Sequence, residues 1–336
     1  MKPRIAVTVG DFNGIGPEVV LRSLRTKAVR ESCVPVLIGP ANVFMYYAGT
    51  GRKRLTLVPL GSRRIPGATA IVESSEISPV QIAPGSLSRA AGAAAASAIT
   101  VAVGMAVRGE VDAIVTAPVS KQAMHLAGVR FPGQTEMLQH LSKSPHAAMM
   151  LVSPTLRVGL VTIHIPLSEV SRALTASLII ERITVIDTAL RQDWGIARPT
   201  LAVLGLNPHA GEGGDIGREE QGVILPALEQ LRKKGVRLDG PFPADGFFAR
   251  YRPGAYDCVV AMYHDQGLIP LKMSSGGRAV NVTVGLRIVR TSPDHGTAFD
   301  RAGRDLADPG SMVEAILLAV RIAHNRHTHT PIGKRT

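Results

Sequence analysis

The sequence is poor in cysteine and in aromatic residues. Its 336 residues include two cysteines, Cys33 and Cys258, and both lie in apolar, strand-like surroundings. Two such residues form no C-x-x-C motif and exclude a disulfide framework, so we expect a reducing, cytoplasmic compartment. Aromatic residues make up 4% of the chain, which argues against a surface that stacks nucleic-acid bases.

The sequence also lacks the pattern of a signal peptide or a membrane span. Its first residues lead directly into a strand pattern at Ile5–Val9, so no signal peptide is expected. The longest apolar stretch, Ala90–Val107, is rich in Ala and is interrupted by Gly and Ser. It therefore predicts a buried helix between Ser88 and Arg108 rather than a membrane span.

Basic residues outnumber acidic ones, and the formal net charge is +12. They are spread along the chain instead of forming a basic arm, and no nucleic-acid reading motif is present. We therefore expect a solvated basic surface, which would also attract anionic substrates, and no nucleic-acid partner.

Short apolar runs bounded by turn residues alternate with helical patterns along the chain. Hydrophobic residues make up 45% and charged residues 19%, which is typical of a globular protein with a large core. The alternation predicts an α/β fold with mostly parallel strands. A helical pattern also predicts one helix from Leu167 to Leu190, and the polar end of the chain, Arg326–Thr336, is expected to be frayed.

Three histidines, His164, His209 and His264, each follow a predicted buried strand. Ligands bind at the carboxyl ends of the strands in open α/β sheets. Three imidazoles at such positions could hold one divalent cation and leave a fourth position open, the layout of a catalytic metal site. Each histidine could equally be a core or capping residue, and the residues alone leave both interpretations open.

Two helix starts carry polar groups that could hold an anion. Gly10–Glu18 joins a strand to a helix through a glycine-rich turn, but it is not a G-x-G-x-x-G motif, and Pro17 has an ordinary structural role there. Gln134 and Thr135 lie just before a predicted helix. They suit helix capping and anion binding equally well.

Six stretches resemble the 4-hydroxythreonine-4-phosphate dehydrogenase family of pyridoxal phosphate biosynthesis. The similarity runs in order from about residue 4 to residue 322 and includes several specific motifs. The stretches are Gly10–Glu18, Thr116–Lys121, Pro132–Glu136, Asn207–Glu212, Met262–Gly267 and Asp294–Ala298.

The resemblance implies a fold like that of isocitrate and isopropylmalate dehydrogenases, with two α/β/α domains and a cleft between them. Residues 1–125 with 275–336 would form the first domain, on the nucleotide side. Residues 126–274 would form the second, on the metal and dimer side. The resemblance further implies a homodimer whose active site lies at the subunit interface.

The implied reaction is an NAD-dependent (or NADP-dependent) oxidation of the secondary alcohol of 4-phosphonooxy-threonine. Its product is a β-keto acid that decarboxylates. One divalent metal ion, Zn, Mg or Co, would be held by His164, His209 and His264, one of them from the neighbouring subunit. These are the three histidines already singled out by their positions after strands.

The resemblance also assigns residues to substrate and cofactor. Asp265 or Lys272 could relay the proton, and the sequence does not decide between them. The substrate-binding positions are Gln134, Thr135, Lys272, Asn281 and Arg290. The positions expected to bind the cofactor are His295, Gly296, Thr297, Ala298 and Asp308.

Four positions depart from the family pattern. Gln134 stands where the family usually has His, Gly246 where it has Thr, and Phe12 and Arg287 where it has Pro. The substrate could therefore be a four-carbon sugar-acid phosphate, or the cis-dihydrodiol of an aromatic dicarboxylate such as terephthalate. Arg287 suits the dicarboxylate, whereas the retained substrate-binding residues favour a phosphorylated substrate. A non-catalytic anion-binding protein on the same scaffold is a further alternative.

Overall fold

The computed structural model describes residues 1–48, 56–62, 68–74, 79–131 and 133–329. Three sequence expectations reach beyond these residues. Leu55, the start of a weak strand pattern at Leu55–Val58, lies outside the described residues, as do Pro132 and residues 330–336.

Twelve strands and twelve α-helices lie within the described residues. The strands are β1 (Arg4–Thr8), β2 (Val34–Ile38), β3 (Leu57–Pro59), β4 (Thr69–Val72), β5 (Ala113–Val115), β6 (Ala148–Val152), β7 (Arg157–Leu160), β8 (Thr200–Leu204), β9 (Arg237–Phe242), β10 (Cys258–Ala261), β11 (Val280–Val284) and β12 (Arg290–Pro293). The helices are α1 (Gly16–Leu24), α2 (Lys27–Ser32), α3 (Ala41–Ala48), α4 (Arg89–Val107), α5 (Lys121–Leu126), α6 (Gln134–Leu141), α7 (Leu167–Ala173), α8 (Ala176–Gln192), α9 (Leu225–Lys233), α10 (Ala244–Ala249), α11 (His264–Ser275) and α12 (Gly310–His329).

The chain divides into two compact units. The first contains Met1–Ser144 and Leu286–His324, and the second contains Pro145–Gly285 and Asn325–Thr336. Strands alternate with helices in both, so the predicted α/β class is confirmed. The predicted assignment of residues 1–125 with 275–336 to a nucleotide domain, and of 126–274 to a metal domain, stays a prediction.

The first unit is built on six strands in the order β3-β4-β2-β1-β5-β12. Every neighbouring pair in this order is parallel. Strands β2 and β5 contain only apolar residues, and β1 is apolar between Arg4 and Thr8, as expected when helices cover both faces of a parallel sheet. This arrangement brings the ends of β1, β5 and β12 to the same edge.

The second unit has the strand order β11-β6-β7-β10-β8-β9. The pairs β7–β10, β10–β8 and β8–β9 are parallel, whereas β11–β6 and β6–β7 are antiparallel. Only four residues, 153–156, connect β6 to β7, and such a short connection can join only antiparallel neighbours. The expectation of mostly parallel strands is met, with this hairpin and β11 as exceptions.

The Ala-rich helix predicted between Ser88 and Arg108 is confirmed as α4. Its N-cap Ser88 accepts a hydrogen bond from the Ala91 N–H at 3.1 Å. By length and composition alone, α4 is apolar enough to cross a membrane. Ten of its residues are buried, however, and it packs on β1, β2 and β5 as the core helix of a folded unit would.

Two local predictions are wrong. The single helix expected from Leu167 to Leu190 is two helices, because Leu174 and Thr175 are extended and the Thr175 hydroxyl caps α8 by accepting from Leu178 N–H at 3.2 Å. The fraying expected from Arg326 onward does not apply to residues 326–329. Helix α12 continues through them, and Arg326 pairs with the buried Asp193.

Candidate active site

His164 and His264 lie side by side because they follow paired parallel strands. Strands β7 and β10 are in register, with Leu160 opposite Ala261. The pairing extends beyond both strands, since Thr162 donates to the Met262 carbonyl from its N–H at 3.1 Å and from its hydroxyl at 2.7 Å. Each histidine follows two residues later, and their ring centroids are 5.7 Å apart.

Helix α11 begins at His264 and is fixed at its start by Gln266. Gln266 Oε1 accepts from Met262 N–H at 2.7 Å, and its Nε2 donates to the Gly205 carbonyl at 2.6 Å. This buried amide therefore ties α11 to the ends of β10 and β8. Asp265 is exposed, and its Oδ1 lies 2.7 Å from Nδ1 of His264.

His209 lies on the loop after β8, in an unusual backbone conformation. Its φ is +52°, and positive φ angles continue through residue 213. The imidazole is 64% exposed, and its Nδ1 is 3.9 Å from Glu212 Oε2. The loop thus holds His209 out toward solvent at the end of a buried strand.

The three histidines do not form a complete metal site within one chain. No group of three or more His, Cys, Asp or Glu side chains able to hold a metal ion occurs among the described residues. The pair His164 and His264 nevertheless fits such an ion. Imidazole nitrogens lie about 2.0–2.1 Å from bound zinc, which places two ring centres roughly 5–6 Å apart on one tetrahedral ion. The three-histidine ligand set stays a prediction.

Lys272 and Asn281 follow His264 in the second unit. Lys272 is exposed on α11, eight residues after His264 and about 12 Å farther along the helix axis. Asn281 lies on β11, and its Oδ1 is buried with no hydrogen-bond partner among the described residues.

In the first unit, Arg290 is buried and donates to two neutral side chains. It begins β12 and is 2% exposed. Its Nε and Nη2 donate to the Thr116 hydroxyl at 3.1 and 2.7 Å, and Nη2 also donates to Gln134 Oε1 at 2.9 Å. Burial lowers the pKa of Arg290 to about 9, because these neutral acceptors do not offset the loss of water around the guanidinium.

The N-terminus of α6 lies beside this guanidinium. Gln134 and Thr135 are its first two residues, after the extended N-cap Gly133. Unpaired backbone N–H groups and the helix dipole at such a terminus favour an anion. The structure therefore brings together three of the predicted substrate-binding residues, Gln134, Thr135 and Arg290, in a place suited to phosphate or carboxylate.

The predicted cofactor loop packs on the turn that precedes α1. The Thr297 carbonyl accepts from Ile15 N–H at 2.9 Å, and a Cβ at Gly14 would lie 2.7 Å from the same oxygen. Only glycine at position 14 allows this approach. His295 Nδ1 is 3.1 Å from the Gly296 carbonyl. Its Nε2 is buried without a hydrogen-bond partner among the described residues.

Two of the remaining predicted cofactor positions, Ala298 and Asp308, shape the local backbone. Ala298 has a φ of +42°, which shapes the loop. Asp308 is exposed, and its Oδ1 accepts from Gly310 N–H at 2.9 Å at the start of α12. Neither contact tests cofactor binding, so the five cofactor positions stay predictions.

A cavity of about 560 Å³ lies beside His209 in the second unit. Phe242, Phe247 and Tyr256 line it, and Arg250 also faces it. Gly246, one of the departures from the family pattern, lies on its wall. No atom lies within 4 Å of where a Cβ at Gly246 would stand.

Sequence reasoning assigned no structural role to three polar residues that support the site. Thr116, Gln266 and Glu220 are all buried. Glu220 accepts hydrogen bonds from the backbone that leads to His209. In the sequence, each of them is a polar residue next to a strand end or at the start of a helical pattern. Ordinary helix-capping residues occur at the same positions, so the pattern does not identify a functional residue.

Comparison with known proteins gives close matches over nearly the whole chain. The family described as "Pyridoxal phosphate biosynthetic protein PdxA" matches residues 31–319. The chain is 42% identical over 322 residues to 4-hydroxythreonine-4-phosphate dehydrogenase of Desulforapulum autotrophicum, covering 95% of each chain. It is also 42% identical over 328 residues to D-threonate 4-phosphate dehydrogenase of Cupriavidus necator, covering 96% of this chain and 98% of the relative.

Solved structures give the same result. 4-Hydroxythreonine-4-phosphate dehydrogenase of Klebsiella pneumoniae matches with a TM-score of 0.86 and 41% identity, covering 96% of this chain and all of that one. A terephthalate 1,2-cis-dihydrodiol dehydrogenase of Burkholderia xenovorans matches with a TM-score of 0.66 and 31% identity, over 96% and 98% of the two chains. These matches confirm the predicted fold type and the prediction of a dehydrogenase.

Proposed function

Because the chain belongs to the PdxA family of pyridoxal phosphate biosynthetic proteins, we propose that it is a metal-dependent and NAD-dependent dehydrogenase of 4-phosphonooxy-threonine. It oxidises the secondary alcohol of this substrate to a β-keto acid, which then loses carbon dioxide. NADP is the alternative cofactor, and Zn, Mg or Co is the metal. Four-carbon sugar-acid phosphates are the alternative substrates.

The observation that carries a phosphorylated substrate is the environment of Arg290. A guanidinium that is 2% exposed and donates to the neutral Thr116 and Gln134 gains from a nearby anion. The start of α6, with Thr135, adds backbone donors and the helix dipole. Arg binds phosphate in a bidentate way, so these residues fit the phosphate and fix its position.

His164 and His264 would hold the metal ion, and we propose that His209 completes the ligand set from the neighbouring subunit of a homodimer. The spacing of the pair supports this role. The carboxylate of Asp265 supports it too, because ligating imidazoles usually donate their second N–H to such a group. With Nδ1 of His264 donating to Asp265, Nε2 is left as the ligand atom.

When bound, the metal acts as a Lewis acid on the alcohol and NAD accepts the hydride. Of the two residues considered for proton transfer, Asp265 is engaged with His264, so we assign that transfer to Lys272. Asn281 Oδ1, a buried acceptor without a partner among the described residues, would receive a substrate donor. His295 and Thr297 would contact the cofactor.

A reducing, cytoplasmic location also belongs to the proposal. Both cysteines, Cys33 and Cys258, are buried, and burial raises their thiol pKa values to about 11 and about 12. Such thiols are inert, which supports a reducing, cytoplasmic location.

The test is a set of turnover assays with metal-loaded protein. 4-Phosphonooxy-threonine, D-threonate 4-phosphate and erythronate 4-phosphate are each offered with NAD or NADP and Zn, Mg or Co, and formation of the reduced nicotinamide is followed. We expect the first substrate to have the highest kcat/KM. His164→Ala should abolish metal binding, whereas the control His125→Ala, on the exposed side of α5, should not. No turnover with any substrate would contradict the proposal.

One observation favours a second substrate class, the cis-dihydrodiol of an aromatic dicarboxylate. The cavity beside His209 has aromatic walls, and Arg250 and Arg252 line it. An aromatic ring with two carboxylates suits such a pocket. The terephthalate dihydrodiol is therefore included in the assay. Turnover of the dihydrodiol, with none of the phosphorylated substrates, would replace the leading proposal by this one.

A further inference from the structure

The loop that carries His209 is a left-handed backbone turn. Residues 209–213 all have positive φ, with values of +52°, +52°, +83°, +44° and +67°. Three of the five, His209, Ala210 and Glu212, are not glycine. L-residues rarely adopt this conformation, and each one raises the energy of the loop unless other contacts impose it.

One buried carboxylate holds the start of this turn. Glu220 is 2% exposed and begins a π-helical turn, Glu220–Ile224, that leads into α9. Its Oε1 accepts from the N–H groups of Leu206 and Asn207 at 2.7 and 2.8 Å, and its Oε2 accepts from Asn207 Nδ2 at 2.9 Å. All three donors immediately precede Pro208 and His209.

The same carboxylate also packs against the middle of the turn. A Cβ at Gly211 would lie 2.7 Å from Glu220 Oε2, so the loop closes directly over the buried group. The neighbouring Glu219 adds a second acceptor for Asn207 Nδ2 at 2.8 Å. Asn207 is thus held by two carboxylates, and the backbone after it has little freedom. Single π-helical turns such as this one occur frequently at functional sites.

We infer that Glu220 is a positioning residue, which imposes the left-handed turn and thereby fixes the imidazole of His209 for a metal ion. Glu220 would act through this backbone rather than as a metal ligand. Its carboxylate orders the backbone before His209 in the metal-free protein, so little ordering remains to be done when the ion binds. This inference rests on the proposed role of His209 as a metal ligand.

The test compares Glu220→Gln with Glu229→Gln. Glu229 is exposed on α9, so its replacement makes the same change of charge away from the loop. In Glu220→Gln, the side-chain carbonyl can still accept from the N–H groups of Leu206 and Asn207. The side-chain NH2 group, however, would face the NH2 group of Asn207, and two hydrogen-bond donors cannot pair. We expect a similar melting temperature in both variants. Zinc affinity, measured by chelator competition, should fall about 10–100-fold in Glu220→Gln alone. With the metal at saturation, KM for the substrate should be close to that of the unsubstituted protein.

His209→Ala separates the inference from the function on which it rests. If His209→Ala binds zinc like the unsubstituted protein, the proposed metal site is wrong. If it loses zinc while Glu220→Gln keeps full affinity, only the positioning role is overturned. Should Glu220→Gln fail to fold, Glu220→Asp decides the question, because its carboxylate is one methylene shorter and cannot keep all the hydrogen bonds to Leu206 and Asn207. Unchanged zinc affinity in that variant would overturn the inference.

Discussion

The Arg290 guanidinium donates from Nη2 to Oε1 of Gln134 at 2.9 Å, and both groups lie at the start of α6. Gln134 stands where the family usually has histidine. Its carbonyl is occupied by Arg290, so its amide N–H groups are the part left to meet a substrate. Arg290 keeps its positive charge for an anion, because an amide oxygen satisfies the guanidinium geometrically without neutralising it.

Replacing Gln134 by glutamate should weaken substrate binding and stabilise the ligand-free protein. In Gln134→Glu, a carboxylate beside the buried Arg290 forms an ion pair that competes with the substrate anion. We expect KM for the phosphorylated substrate to rise at least about 10-fold, or roughly 1.4 kcal/mol. The melting temperature of the ligand-free protein should rise as well, and KM for NAD should stay the same.

Gln122→Glu, an exposed change on α5, is the control for added negative charge. It should leave both the melting temperature and KM unchanged. An equal KM in the two variants would show that Gln134 and Arg290 do not contact the substrate anion.

Asp11 gives the protein a pH-dependent stability. Its carboxyl is fully buried, and Oδ2 has no hydrogen-bond partner among the described residues. Burial raises its pKa from 3.8 to about 6, against the opposing hydrogen bonds from the Asn13 and Gly14 backbone. The folded state therefore prefers the protonated form. This contribution to stability is complete below pH 3.8 and is lost as the pH rises through about 6.

Asp11→Asn keeps an acceptor for the Asn13 N–H and removes the buried charge. We expect it to raise the free energy of unfolding at neutral pH by as much as about 3 kcal/mol. This value corresponds to the pKa of Asp11 being about two units higher in the folded state than in the unfolded state. The difference should vanish near pH 4, where Asp11 is protonated in the folded state. Urea unfolding at both pH values measures this, with the exposed Asp300→Asn as control. A difference independent of pH would contradict the assignment.

Strand patterns located His164 and His264 correctly at the ends of strands, because apolar runs and their polar ends are local features. Their closeness depends on the register of β7 and β10, which pairs residues about 100 positions apart. The left-handed turn at His209 was not predictable, since the same residues also suit ordinary turns. The turn depends on hydrogen bonds to Glu220, which lies in a later segment of the chain. The break before α8 escaped prediction for a different reason, because Thr175 can lie inside a helix or cap one.

Arg326 and Asp193 form a partly buried bidentate pair in the second unit. Arg326 Nε and Nη2 donate to Oδ1 and Oδ2 of Asp193 at 2.6 and 3.1 Å, and the Asp193 side chain is 3% exposed. Arg326→Met would leave this carboxylate buried without its arginine. We expect a loss of about 3–5 kcal/mol in the free energy of unfolding, measured with urea.

The double variant Asp193→Asn with Arg326→Met should recover most of that loss, because no buried charge remains. Arg321→Met, an exposed change on the same helix α12, is the control and should cost little. If Arg326→Met were as stable as Arg321→Met, the pair would contribute nothing to the fold of this unit.

Two glycines of α4 should respond to alanine in opposite directions. A Cβ at Gly92 would lie 2.0 Å from the Ala123 carbonyl oxygen of α5, whereas at Gly104 its nearest neighbour is the flexible Arg108 side chain at 3.1 Å. Alanine favours a helix by about 1 kcal/mol over glycine, so Gly104→Ala should stabilise the protein slightly. Gly92→Ala must push two helices apart and should cost about 1–3 kcal/mol. Urea unfolding of the two variants decides this. Stabilisation by both would mean that α4 and α5 are not in such close contact.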